Sequence, residues 1–238
     1  MQVAAEWPLV GRDYELENIA QARGDAACRG VVVSAVAGVG KSRLAREAHA
    51  AAQRDGAVVG WVQATTSAAT VPLGAFAGLI PEAVRSDDTL ELMRSSADAL
   101  RERANGGRLV LGVDDAQLLD PVSAALVLHL TTSDSTFVIA TIRAGEPCPD
   151  AIISLWKDAG ARRLELVSLS DGALATLVEA ALGAPVEQAA VQWVVASSQG
   201  NAMYARELVL GAVEAGTLTL AGGLWRMTRA PSVSATLA

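Results

Sequence analysis

AVAGVGKS, residues 35–42, stands between an apolar β-branched run, GVVVSAV (30–36), and a segment with Leu44, Ala48 and Ala51 at helical spacing. Small residues between a strand and a helix let the backbone wrap a phosphate chain with its amide N–H groups turned inward. Lys41 supplies a mobile positive charge for the β- and γ-phosphates, and the Ser42 hydroxyl can ligate magnesium. The following helix offers its positive N-terminus to the same phosphates. The first position of G-x-x-x-x-G-K-[ST] is Ala35 rather than glycine, a change that families with this loop often accept. The expected nucleotide contacts are Ala37, Gly38, Val39, Gly40, Lys41, Ser42 and Arg43.

A partner element lies downstream in RLVLGVDDAQLLD (108–120). Apolar residues leading into Asp114-Asp115 put two carboxylates at the carboxyl end of a buried strand, the edge where open α/β sheets bind ligands. In that context Asp114 is expected to hold magnesium through water, and Asp115 to orient or polarise the attacking water. ATIRAGE (140–146) ends another strand and places Thr141 and Arg143 where a γ-phosphate could be sensed. Asp115, Arg143 and Lys41 form the expected catalytic set, with Ser42 and Asp114 on the metal. No second arginine reads as a finger in the same site, which predicts slow turnover.

Around these motifs strand-like and helix-like segments alternate, the pattern of a parallel sheet covered on both faces. The strands are expected at 30–36, 56–65, 108–115, 135–143 and 162–170. Asp87 and Asp88 read as the acidic first turn of a helix carrying Leu90, Met93, Ala97 and Leu100. Asp120-Pro121 opens another, with a capping carboxylate before a proline. After residue 170 three helical patterns follow, at 170–182, 186–198 and 202–215, with Gly183, Gly200 and Gly216 at their ends. Two short runs around Gly222-Gly223 read as a hairpin. The expected organisation is an α/β core over 1–168 and a helical lid over 169–216. A hairpin opening a winged-helix region, with a disordered tail, is expected over 217–238.

The bulk numbers set limits. A hydrophobic content of 51% supports a large core, and aromatics at 4% leave Leu, Val and Ala to fill it. A net charge of -7 argues against nucleic-acid contact by this segment, because phosphate neutralisation needs a basic face. The N-terminus lacks the features of a signal peptide, and no apolar run approaches the ~20 residues of a membrane span, so a cytoplasmic protein with no membrane partner is expected. Cys28 and Cys148 read as free thiols, and His49 and His129 as structural residues.

LVGRDYELENI (9–19), AVAGVGKS, LVLGVDDAQLLD, ATIRAGEPCPD and SSQGNAMYARELVLGAVEAG, in that order, resemble the N-terminal ATPase region of large LuxR-type transcriptional regulators. That group is similar to the STAND signalling ATPases, relatives of the AAA+ class. The resemblance implies a P-loop NTPase sandwich with a five-stranded parallel sheet in the order 5-1-4-3-2 and a helical lid. It implies that Leu9, Val10, Gly11 and Arg12 pack beside the adenine of bound ATP or ADP. It also implies a switch between ADP- and ATP-bound forms, nucleotide-dependent self-association, and a sensor region and helix-turn-helix elsewhere in a longer regulator. The family's Gly-Asn-Pro before the third lid helix is Gly200-Asn201-Ala202 here, which is expected to loosen lid closure. Two other readings compete. One is a mechanical AAA+-type ATPase, with Arg12, Arg162 or Arg163 as the finger. The other is a non-hydrolysing interaction module, in which Ala35 and Ala202 mark decay of the site.

Overall fold

The computed structural model describes residues 7–133 and 135–228 of the 238-residue chain. Its contacts divide into two units, each described by itself. The larger comprises residues 14–37 and 41–166, and the smaller the described parts of 1–13, 38–40 and 167–238. The hairpin and residues 7–13 thus share a unit with the helices after residue 167, where sequence alone separated them. The expected disordered tail lies, apart from Thr228, outside the described residues.

The larger unit is built on five parallel strands, β1 (Gly30–Ala35), β2 (Val58–Gln63), β3 (Leu109–Asp114), β4 (Thr136–Arg143) and β5 (Ala161–Glu165). Their order is β2-β3-β4-β1-β5, which is the expected order read from the opposite edge. β1 and β3 are buried along their whole length, as parallel strands covered on both faces must be.

Successive side chains leave opposite faces of a strand. Val32, Leu111, Val113, Val138, Ala140 and Ile142 join one core with Leu100, Leu126, Leu130, Ile152 and Leu155. Those partners come from α3 (Thr89–Arg103), α4 (Pro121–Thr132) and α5 (Asp150–Lys157). The alternate positions include Val31, Val33, Val110, Phe137 and Ile139, all buried, and α2 (Lys41–Arg54) packs on β1, β3 and β4. Asp114 and Thr141 belong to this second set, so the pleat turns both toward the helix that carries Lys41 and Ser42.

β5 is shorter than the alternation of 162–170 suggested. It pairs only with β1, and after Leu166 N–H donates to Ser34 its neighbour ends and turns away into the loop. The α3 boundary also shifts, because Asp88 stands outside the helix as its cap, accepting from Leu90 and Glu91 N–H. Asp120 caps α4 ahead of Pro121 as expected.

The smaller unit packs α6 (Asp171–Leu182), α7 (Gln188–Ser198) and α8 (Ala202–Glu214) around Leu174, Val178, Val194, Val209 and Trp225. Trp225 comes from the hairpin β6 (Leu218–Ala221) and β7 (Leu224–Met227). Gly222 and Gly223 both have positive φ, 61° and 78°, the backbone that a two-residue hairpin turn demands. Among the described residues no helix is long and apolar enough to cross a membrane.

Candidate functional site

In the larger unit the ends of β3 and β4 and the start of α2 bring together Lys41, Ser42, Asp114, Asp115, Thr141 and Arg143. Asp114 Oδ1 accepts from Ser42 Oγ at 2.7 Å and from Thr141 Oγ1 at 2.6 Å. Asp115 leaves the strand with φ 52° and ψ 47°, a left-handed conformation that aspartate tolerates better than bulkier residues. This turn takes its carboxylate out of the strand's alternation. Asp115 Oδ1 then lies 3.7 Å from Lys41 Nζ and 3.5 Å from Arg143 Nε. The site thus pairs two cations suited to phosphate oxygens with two carboxylates of different surroundings. One carboxylate is bound by hydroxyls and the other faces ammonium and guanidinium groups.

Thr141 is placed differently from expectation. It is fully buried, and its hydroxyl donates to Asp114 while accepting the Asp115 N–H at 2.8 Å. These two bonds tie it to the acidic strand tip. Sequence reading passed over Gln117, which is 7% exposed, donates to Asp115 Oδ1 at 3.2 Å and accepts the Arg143 N–H at 3.2 Å. A lone polar residue inside the apolar stretch after Asp115 was the only signal available for it.

Ala35 is the last residue of β1, buried and paired with Arg143. Its backbone is extended, so this position has no need of glycine's conformational freedom. Ser42 and Asp114 are hard oxygen donors in direct contact, a set that suits magnesium, which retains water and takes few protein ligands. Among the described residues no cluster of three or more His, Cys, Asp or Glu side chains could hold a metal by itself.

Within the smaller unit, loop residues 38–40 are held from their carbonyl side. The Gly38 carbonyl accepts the Met203 N–H at 3.0 Å, and the Val39 carbonyl accepts from the Arg12 guanidinium at 3.1 Å. Arg12 also donates to the Val167 carbonyl at 2.7 Å and is buried. Gly38 and Gly40 have φ of 83° and 98°, and a Cβ on Gly38 would lie 2.4 Å from Asn201 Oδ1. Asn201 caps α8 by accepting the Tyr204 N–H at 3.0 Å, so that helix starts cleanly without a proline. Val10 packs on this unit's core, Leu9 is half-buried, and Gly11 takes φ 65° where a side chain would strike Ala173. Arg43 is partly buried in the first turn of α2.

Both histidines make hydrogen bonds within the larger unit. His49 Nε2 donates to the Gly60 carbonyl, and His129 Nε2 accepts from Arg101. Cys28 is buried, and burial pushes the Cys148 thiol up to about 11, which leaves it protonated at neutral pH. Arg162 pairs with Asp25, and Arg163 pairs with Glu165 and covers the Trp156 ring.

Residues 8–139 match the family model of the AAA ATPase domain. In structure the chain is similar to the Aeropyrum pernix ORC1 protein in complex with DNA, with a TM-score of 0.63 and 16% identity over 89% of this chain and 61% of that one. It is similar to Cdc6p from Pyrobaculum aerophilum, with a TM-score of 0.64 and 14% identity over 90% of this chain and 65% of that one. A single-residue variant of RuvB from Thermotoga maritima gives a TM-score of 0.58 and 18% identity over 86% of this chain and 62% of that one. At such identities the likeness is one of fold. The chain spans between 61% and 65% of the length of these three. No curated protein matches it in sequence.

Proposed function

The chain belongs to the AAA ATPase domain family, and from that premise we propose that it is the nucleotide switch of a longer, cytoplasmic LuxR-type transcriptional regulator. It binds ATP or ADP with magnesium and hydrolyses ATP slowly. The bound nucleotide controls self-association and the activity of sensor and helix-turn-helix regions elsewhere in the regulator.

The observation that carries the nucleotide chemistry is the convergence on Asp115 Oδ1 of Lys41 and Arg143, beside the contact between Asp114 and Ser42. Magnesium would supply charge neutralisation on the phosphates, held by Ser42 and Asp114. Lys41 binds phosphate oxygens, and Arg143 donates to the terminal phosphate as charge develops there. Asp115 orients the attacking water and takes its proton at a carboxylate oxygen. Backbone amides at the start of α2, at Lys41, Ser42 and Arg43, would add the positive end of a helix to the phosphate contacts.

The regulator reading rests on the ordered motifs from Leu9 to Gly216 and on the acidic balance of the segment. The Aeropyrum ORC1 protein is in complex with DNA, but a net charge of -7 assigns promoter binding to another part of the regulator. A mechanical ATPase needs an arginine that reaches a neighbouring subunit. Arg12 is buried on two carbonyls, and Arg162 and Arg163 are engaged with Asp25 and Glu165. The retained pair of Asp115 and Arg143 weighs against a module that does not hydrolyse.

Calorimetry with ADP and ATP tests the core of this reading. The chain is expected to bind both, and Lys41→Ala to weaken binding by roughly 100-fold, about 2.7 kcal/mol, with the fold intact. Equal affinity in the folded variant overturns the assigned role of the loop.

A further inference from the structure

Resting on the hydrolytic reading above, we propose that Gln117 is a positioning residue that keeps the Asp115 carboxylate aligned with the end of β4 while nucleotide is bound. The residue is 7% exposed, and its side chain serves two partners from one amide: Nε2 donates to Asp115 Oδ1 and Oε1 accepts the Arg143 N–H, both at 3.2 Å. A primary amide offers a donor and an acceptor on one rigid plane, so a single side chain ties the tip of β3 to the main chain of β4.

The other partners of Asp115 Oδ1 are cations, Lys41 at 3.7 Å and Arg143 Nε at 3.5 Å. Under the hydrolytic reading both turn to phosphate oxygens when ATP arrives, and neither then fixes the carboxylate. The neutral amide is drawn to phosphate less strongly than either cation. Gln117 is therefore the partner that stays, and it matters because Asp115 sits on a left-handed turn at φ 52°, released from the strand that would otherwise aim it. Holding Oδ1 leaves Oδ2 as the oxygen that takes the proton of water.

Two further carboxylates of the site are already engaged. Asp114 accepts from Ser42 and Thr141, and Glu146 pairs with the outer end of Arg143 at 3.4 Å. A negative charge at position 117 therefore meets the Asp115 carboxylate directly, and beside it the Lys41 and Arg143 cations until nucleotide draws them to phosphate.

Gln117→Met keeps the length and removes both hydrogen bonds. Gln117→Glu keeps the acceptor for the Arg143 N–H but sets a second carboxylate against Asp115. ADP affinity by calorimetry and ATP turnover from about pH 8 to about pH 6 would be measured for wild type and both variants. Expected are ADP affinities within about threefold of wild type and a turnover loss of about 10- to 100-fold at pH 8 with KM little changed, the scale of one lost hydrogen bond to a charged group. Gln117→Glu should regain rate on acidification, because a protonated Glu donates as the amide does, whereas Gln117→Met should not. Full turnover by folded Gln117→Met, or identical pH profiles for the two variants, overturns the inference. A wild-type chain that binds nucleotide without hydrolysing it overturns the hydrolytic reading instead, and this inference with it.

Discussion

Thr141, fully buried near the end of β4, donates its hydroxyl to Asp114 Oδ1 at 2.6 Å across the sheet. The same oxygen atom of Thr141 accepts the N–H of Asp115. One hydroxyl thereby satisfies a buried carboxylate and an irregular backbone amide at the point where β3 ends. Asp114, which is buried, has few alternatives so far from water, and the Asp115 amide is part-buried.

Thr141→Val preserves shape and removes this hydroxyl. A buried carboxylate and a part-buried amide lose a partner, so urea denaturation should show a loss of about 1–3 kcal/mol. Thr141→Ser should recover most of it. A valine variant as stable as wild type would mean that Asp114 and the Asp115 amide find other partners.

Two glycines of the smaller unit should respond in opposite directions to alanine. Gly200 has φ 78°, and an added Cβ would lie 2.5 Å from the Leu169 carbonyl oxygen. Gly200→Ala should therefore destabilise by about 1–3 kcal/mol. Gly211 lies within α8 with open space around its Cβ position. Gly211→Ala should stabilise by about 0.5–1 kcal/mol through helix propensity. Thermal unfolding of the two variants checks both signs, and equal shifts would contradict them.

Acid should weaken the protein in part through His49. Burial holds its pKa below 6.5, with the Arg46 charge adding to the effect and the bond to the Gly60 carbonyl opposing it. The folded chain therefore resists a proton that the unfolded chain accepts near pH 6.5. The full contribution is present above that pH and is lost as pH falls from there toward the lower, folded value. His49→Gln keeps an N–H for Gly60 and does not titrate. Its urea midpoint should fall less than that of wild type between about pH 7.5 and about pH 5.5. Parallel curves would remove His49 from the account.

Local chain geometry made much of this molecule legible from its residues alone. Gly38 and Gly40 bracket a turn that only positive φ allows, Asp120 precedes a proline that starts α4, and Gly222-Gly223 dictate a hairpin. Each depends on a few consecutive residues. The sheet order followed from family resemblance rather than from the residues, since pattern alone does not say which parallel strands are neighbours.

The tertiary fold decided the rest, because those relationships join side chains far apart in the chain. Ser42 meets Asp114 across 72 positions, and Gln117 meets the Arg143 amide across 26. Strand register and the left-handed turn at Asp115 turn Thr141 to the acidic strand tip and place Lys41, Arg143 and Gln117 on one carboxylate oxygen. The residues announced their chemistry; the parallel sheet set which of them touch.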